Sequence, residues 1–493
     1  MKTKLLLTIL LAIFCLSISA QTMFQKRYGG SVGDEEGFCV RQTSDGGYII
    51  GGTTSSFGAG NSDAYLIKTN LTGDTLWTKV FGGAGMDYGY SLQQTTDGGY
   101  IVSGTTVSFG SLDFYLIKTN STGDTLWTKT IGIVNEFGYS IQQTSDGGYI
   151  LLGKTNGFGI GDFDAHLVNT DASGNILWTK GYGGTGTDEG ISVQQTSDAG
   201  YIIMGTTNSF GAGLFDIFLI KTNSTGDTLW TKTYGGLNND GLENYEKTSH
   251  CVQQTSDGGY IVTGHTASFG SGNEDAYLIK TDNAGNLLWS KTYGGTGSEV
   301  GFSTRQTTDG GYVIAGFTSS FGAGSWDAYL IKTNSIGDTL WTKTFGTIND
   351  ELAYSIQQTS DGGYIMSGFI DTITGGISDI YLIKTDSAGN SGCNQSMTNT
   401  IITTPVTVLT NPTMQIFSGG TATPTNSIVN NGGIVNTICL ITSVNESNYF
   451  INGMNIYPNP FSMQAVLQTA NLLHNATLMV DNCFGQTVAQ IKN

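Results

Sequence analysis

The sequence predicts an all-β protein, a seven-bladed β-propeller, from three observations. One 50-residue unit recurs seven times, each unit holds four short β-prone runs, and helical patterning is absent. The element Gln-Thr-Ser/Thr-Asp-Gly/Ala-Gly-Tyr places its aspartate at Asp45, Asp97, Asp146, Asp198, Asp257, Asp309 and Asp361, with spacings of 52, 49, 52, 59, 52 and 52 residues. Internal repeats of this period are the mark of arrays and propellers. The one long interval carries an insertion spanning Gly236 to His250.

The four runs have the forms GYSIQQT, GYIISGTT, DAYLIKT and LWTKTYGG, rich in Tyr, Ile, Thr and Trp as strands are. T-S-D-G-G separates the first two and N-S-T-G-D the last two, and both suit tight hairpins. Four strands per unit make a propeller blade, a sheet that buries both faces only between two neighbours. The third run agrees, since Ala64 and Leu66 on one face and Tyr65 and Ile67 on the other are all apolar. The tryptophan run occurs six times, at Trp77, Trp127, Trp178, Trp230, Trp289 and Trp341. The seventh copy is expected at the N-terminus, where Phe24 to Gly30 aligns with Trp77 to Gly83, so an N-terminal strand closes the ring and removes its edges.

The flanking segments complete the domain plan. Residues 1–20 read as a signal peptide, with Lys2 and Lys4, an apolar run from Leu5 to Leu16 and a small-residue end at Ser19-Ala20. Residues 21–390 form the propeller. Residues 391–450, rich in Thr, Asn and Gly, read as a β-rich spacer between ring and anchor, and 451–493 as a C-terminal domain. No other apolar run is long enough to span a bilayer, so no transmembrane segment is expected.

Only 12% of the 493 residues are charged and the net charge is −18. Nucleic acid and anionic membranes are therefore excluded as partners by long-range repulsion. Thirteen of the 21 basic residues recur at two fixed repeat positions and form no patch. Past the signal peptide stand Cys39, Cys251, Cys393, Cys439 and Cys483, too few for a disulfide scaffold. Cys39 and Cys251 hold one repeat position, usually Ser, and read as small buried residues. Cys393 and Cys439 flank the spacer, and whether they pair is left open by the sequence.

At LIKTNSTGDTLWTKTYGG (219–236) the chain resembles the tryptophan-docking repeats of quinoprotein-type propellers and bacterial β-propeller surface repeats, over about residues 23 to 390. Kelch repeats are second, because their paired glycines end the second strand whereas Gly46-Gly47 precede it. At INGMNIYPNPF (451–461) and ATLMVDNCFGQTVAQI (476–491) it resembles the type A sorting domain of the type IX secretion system, a β-sandwich-like module. The later Gly-x-Tyr strand and basic end of that pattern are missing, so this reads as a truncated copy. The resemblance implies the type IX machinery as a partner and a secreted or cell-surface location.

The candidate ligand face is the one formed by inter-blade loops and the loops between second and third strands, opposite the hairpin turns. An acid occupies one aligned inter-blade place at Glu35, Asp87, Glu136, Asp188, Glu299 and Glu351, with Lys247 in blade five. These acids read either as a rim for cationic ligands, sugars or Ca²⁺, or as turn and strand-start hydrogen bonding, the preferred reading. The phenylalanines of the SFG-type loops, Phe57 onward, read as plugs between blades rather than a stacking surface. The third-strand aspartates from Asp63 to Asp379 recur in all seven blades, which marks them as scaffold. Blades three (Lys154, His166, Asn169) and five depart from the repeat. The asymmetric ligand site, if there is one, is expected in blade five at Tyr245, Glu246, Lys247, His250 and His265.

No catalytic or metal constellation is expected. Gly29-Gly30-Ser31-Val32-Gly33 matches G-x-S-x-G without the strand-to-helix turn which that motif needs, and the four histidines lack ligand spacing. The quinone use implied by the docking resemblance would need unrepeated polar and metal-binding residues that are not found, so no cofactor is expected. The function predicted is a non-enzymatic binding or interaction scaffold for an extracellular glycan or protein. The alternatives are a glycan-active hydrolase or lyase and a structural surface component.

Overall fold

The computed structural model describes residues 21–241, 251–371 and 376–417, and the strands at 421–424, 428–430, 434–443, 454–457, 466–469, 477–481 and 487–492. Residues 1–20 and most of 444–493, with the Pro458 to Phe461 motif, lie outside the described residues. No helix is present among the described residues, and none long and apolar enough to cross a membrane. Two compact units divide the chain, residues 22–441 and the combination of 1–21 with 442–493. In the second of these, Met454–Tyr457 pairs with Val466–Thr469 and Thr477–Asp481 with Thr487–Lys492, two antiparallel hairpins.

The large unit is a seven-bladed propeller. Blade one shows how the repeat folds: Glu35–Gln42 lies innermost, followed outward by Tyr48–Thr54, Asp63–Thr69 and Thr75–Gly82, all antiparallel. Its two middle strands are buried along their whole length, because each face packs on a neighbouring blade. One cluster unites Ile202, Ile217 and Tyr234 of blade four with Tyr260, Val262 and Ile279 of blade five. Each such side chain contributes about 1.5–3 kcal/mol on burial.

The first hairpin is held by chemistry that the repeat keeps. Asp45 Oδ1 accepts from Thr43 Oγ1 (2.6 Å) and Gly47 N–H (3.0 Å), and Lys68 Nζ, its side chain 4% exposed, reaches the same carboxylate at 2.9 Å. Gly46 has φ +84°, a left-handed turn position. Ala199 takes that place in blade four at φ +64°.

Adjacent blades lock through the tryptophan of the outer strand. Trp77 meets Tyr100 of blade two edge-on at 5.8 Å, and the next blade's turn fits over it so closely that a Cβ on Gly123 would lie 2.8 Å from the indole. The same contact recurs through Trp341 and Tyr364. In the seventh sheet the strand Gln21–Gly29 pairs antiparallel with Ser378–Thr385, from Phe24 opposite Lys384 to Tyr28 opposite Ile380. Phe24 meets Tyr48 edge-on at 6.1 Å, the place a tryptophan takes elsewhere.

Each sheet has five strands, not four. Gln395–Met397 pairs with the outer strand of blade six, Ile401–Thr403 with blade five and Val408–Thr410 with blade four. Gln415–Phe417, Thr421–Pro424 and Ile428–Asn430 follow on blades three, two and one. Ile434–Ser443 lies beside Gln21–Gly29 in the seventh sheet. The segment expected as a spacer between ring and anchor is thus a belt, running around the ring against the order of the blades. The reason is hydrogen bonding. An outer strand leaves a row of N–H and C=O groups unpaired, and three-residue steps of β-prone sequence satisfy it. Side chains add to the seam: Thr292 and Thr403 hydroxyls meet at 2.6 Å, and Gln25 Nε2 donates to Ser391 Oγ (2.7 Å) and to Cys393 O (2.6 Å).

Candidate functional site: the axial well

The inner strands meet around the axis, where their free edges must also find partners. They do so through two rings of glutamine. The second glutamine of each Gln-Gln-Thr element accepts a backbone N–H from the preceding blade's turn at all seven interfaces, from Ser44 to Gln94 (2.9 Å) around to Ser360 to Gln42 (2.8 Å). The first glutamine works in the opposite direction. Gln357, Gln93, Gln142, Gln194 and Gln253 each accept the N–H of the next blade's second glutamine at 2.6–2.7 Å.

The first ring is broken twice. Blades one and six carry Arg41 and Arg305 there, and neither side chain can accept a hydrogen bond. Arg41 Nη1 donates to its neighbour's carbonyl, Val40 O (2.7 Å), and to Ser355 Oγ (3.3 Å). Arg305 Nη1 donates to Thr304 O (2.7 Å) and to Cys251 Sγ. No carboxylate of the described residues forms an ion pair with either arginine. Burial, with the like charge of Arg305, lowers the Arg41 pKa, while the Cys39 and Cys251 thiols oppose that shift. A guanidinium nevertheless stays charged.

These residues enclose a well of about 400 Å³, lined by both arginines, all five first-position glutamines, Gln42 and Gln94, with Leu92, Ile141, Ser192, Cys251 and Val252. It lies toward the hairpin-turn end of the axis, since Gln42 and Gln94 directly precede the turns. A smaller cavity of about 50 Å³ continues it toward Phe38, Tyr90 and Tyr139. Beyond the serine and cysteine layer an aromatic arc crosses five consecutive blades. Phe302, Tyr354, Phe38, Tyr90 and Tyr139 follow one another with ring centroids 5.1–5.7 Å apart.

The residues singled out from sequence lie elsewhere. Glu35, Asp87, Glu136, Asp188, Glu299 and Glu351 are each 0% exposed, so they form no acidic rim. Asp87 Oδ2 accepts from Gly83 N–H (2.8 Å) and Ser108 Oγ (2.5 Å), and Glu35 from Gly30 N–H (2.8 Å) and Thr54 Oγ1 (2.7 Å). Loop anchoring, the preferred reading, is what these bonds do. In blade five that role belongs to Asp240, which accepts from Gly236 N–H (2.5 Å) and Ser268 Oγ (2.7 Å). The spacing Gly-Gly-x-x-x-Asp at 235–240 carried that signal, because the insertion follows the acid instead of preceding it.

Each third-strand aspartate faces one of these acids across a glycine. A Cβ on Gly82 would sit 1.9 Å from Asp63 Oδ1 and 2.6 Å from Asp87 Oδ2. Asp63 Oδ2 accepts from Ala59 and Gly60 N–H (3.1 Å each), as loop bonding predicts. Burial, with the facing acid second, pushes Asp164 up to about 7, and burial pushes Glu351 up to about 7.

His265 is buried, with Nε2 4.0 Å from Glu274 Oε1. Tyr245, Glu246, Lys247 and His250 lie outside the described residues. The departures of blade three are accommodated internally: Lys154 pairs with Glu189 at 2.8 Å between the rings of Phe137 and Phe163, and His166 bridges Glu136 (2.8 Å) and Thr179 (2.6 Å). Sequence reasoning missed Arg41 and Arg305. Their signal was two replacements of Gln-Gln-Thr by Arg-Gln-Thr.

No protein-family model matches the chain. The regulatory protein FlaEY of Caulobacter vibrioides is 24% identical over 198 residues, which are 37% of this chain and 20% of that protein, so the chain spans a small part of that relative's length. Sqt1 of Chaetomium thermophilum is similar in structure, with a TM-score of 0.36 and 12% identity over 71% of this chain and 85% of that one. A second crystal structure of Sqt1 from the same organism gives the same TM-score and covers 84% of that chain.

Proposed function

We propose that this chain is a secreted or cell-surface binding scaffold, a non-catalytic ring exported by the type IX route. A propeller scaffold fits a binding or interaction role. The observation that carries the reading is the axial well, where an otherwise uniform ring breaks its own repeat at Arg41 and Arg305. Among the described residues the well's lining has no Asp, Glu or His, so it offers no group for acid–base hydrolysis, which favours binding over the hydrolase or lyase alternative. The sorting-domain motifs at 451–461 and 476–491 and the signal-like N-terminus support export. The docking of Trp77 on Tyr100 and on the Gly123 turn supports the quinoprotein-type reading of the repeats. The ladder from Phe24 to Tyr28 supports closure of the ring by its N-terminal strand.

The test is to probe a glycan and protein array with the full chain and with the Arg41→Gln, Arg305→Gln double variant. A ligand bound by the first and lost by the second is expected. An array silent for both chains would remove the scaffold reading. Export is tested by surface labelling in a type IX-competent host, where loss of residues 451–493 should leave the ring inside the cell.

A further inference from the structure

The well is lined by donors. In five blades the carboxamide Oε1 of the first glutamine is committed to a backbone N–H of the next blade. That bond fixes the amide orientation from the network itself. With that orientation the Nε2 hydrogens of Gln93, Gln142, Gln194, Gln253 and Gln357 are left as donors to the cavity they line. In the other two blades Arg41 and Arg305 bring guanidinium groups with five N–H donors each, of which the bonds to Val40, Ser355, Thr304 and Cys251 use a minority. Because an arginine accepts nothing, the N–H groups of Gln94 and Gln358 lose the acceptor that their counterparts have. The well thus gathers two cations, five amide groups and the backbone N–H of Gln94, and no carboxylate.

Charge makes this arrangement costly unless it is answered. Arg41 and Arg305 are half-buried with no carboxylate partner among the described residues, whereas most buried lysines of the ring are answered by one. Lys68 meets Asp45 at 2.9 Å, Lys118 meets Asp97 at 2.8 Å and Lys154 meets Glu189 at 2.8 Å. Arg41 and Arg305 stand in blades one and six, the two neighbours of blade seven, with Gln357 between them. Two planar forks lining one well suit an acceptor with oxygens on both ends.

We propose that the axial well binds a compact, doubly charged oxyanion, bridged between Arg41 and Arg305 and held by the inward amides of the glutamine ring. The inference rests on reading the well as a binding site and names its ligand class. Such an anion has three sources: a free dicarboxylate, inorganic phosphate, or a phosphate ester on a sugar. All share the same two-ended oxygen chemistry, and the well's volume admits each. A net charge of −18 repels anions at long range, so the affinity has to come from the local guanidinium groups.

The test uses the full chain, with succinate, inorganic phosphate and glucose 6-phosphate as probes and acetate as a singly charged control, all at about pH 8, where the phosphates are dianions, and at one ionic strength. Titration calorimetry and thermal melting are read together. At least one dianion is expected to bind saturably and raise the melting temperature, and the one that binds most tightly identifies the source. Arg41→Gln and Arg305→Gln each restore the residue found in the other five blades, so they keep the fold and supply the missing acceptor to Gln94 or Gln358. Each should weaken the dianion at least tenfold, and the double variant should abolish binding while melting no lower than the parent without anion. Failure of every dianion to bind, binding unchanged in the double variant, or acetate binding as tightly as the dianions would each overturn the proposal. An array ligand lost in the double variant when no dianion binds would show the ligand class to be wrong and leave the scaffold reading standing.

Discussion

Every blade has two free edges, one at the axis and one at the circumference, and the protein satisfies them by different means. At the axis the partners are side chains of the repeat itself: Gln253 accepts from Gln306 N–H at 2.7 Å, and Ser192 from Val252 N–H at 3.3 Å. At the circumference they are backbone groups from a segment outside the repeat, such as Val408–Thr410 on blade four. The inner solution is written seven times and tolerates exceptions one blade at a time. The outer solution is written once, in a single run of chain, so a break in it is felt around the whole ring.

The largest effect should therefore come from the belt. Cys393 is disulfide-bonded while Cys39 and Cys251 are free. Its carbonyl is held by Gln25 of the N-terminal strand, and Cys439 lies in Ile434–Ser443, the strand on that same N-terminal strand. A Cys393–Cys439 bond would join the belt's beginning to its end. Non-reducing peptide mapping should find these two linked, and a Cys393–Cys483 link would refute the hoop. Closing a loop of this length contributes about 4 kcal/mol, so Cys393→Ser should lower unfolding stability by that order in urea.

How much of this was legible follows from the same contrast. The propeller, its strand count per repeat and its hairpins were readable because Asp45, Gly46 and Trp77 recur with their spacing, and repetition turns weak local signals into one strong one. The fifth strand was not, because three-residue steps such as Ile401–Thr403 share nothing with the repeat and resemble a Thr/Asn-rich linker. The acids at Glu35 and Asp87 were visible but not their burial, which depends on loop donors such as Gly30 and Ser108 folding over them. The well was hidden for the opposite reason. Arg41 and Arg305 are single exchanges within a regular strand, and their meaning lies in the acceptor they remove.

The ladder bonds at both edges join backbone groups and amides, so pH tests the carboxylates between blades apart from both ladders. Burial pushes Asp164 and Glu351 up to about 7 and Asp216 and Asp379 up to about 6, above their unfolded values near 4. Between those values the folded chain binds more protons than the unfolded one, so stability rises as pH falls from about 8 to about 5. The hairpin aspartates act in the other sense. Lys118 and neighbouring donors hold Asp97 down to about 2, and the same chemistry holds Asp257 and Asp309 there, so their contribution is lost below about pH 4. Melting temperature against pH should peak between 4 and 6. A plateau from 5 to 8 would mean that the buried pairs are neutralised in some other way.

The smallest effect belongs to one rung of the inner ladder. Gln253→Ala removes the acceptor of Gln306 N–H and should cost about 1 kcal/mol in urea unfolding. The native ring already indicates that the cost is low, since Gln94 and Gln358 carry the same gap opposite Arg41 and Arg305. Gln94 lines a well that water or an anion can enter, so its N–H is not stranded in an apolar core. The same exchange at Gln254, whose Oε1 holds Ser197 N–H at 2.9 Å and whose Nε2 reaches Gly258 O at 3.4 Å, breaks a ring that has no natural gap. It should cost more than Gln253→Ala. If the two substitutions cost the same, the gaps at blades one and six are not a tolerance built into the inner edge, and the contrast between a forgiving axis and an unforgiving circumference loses its physical basis.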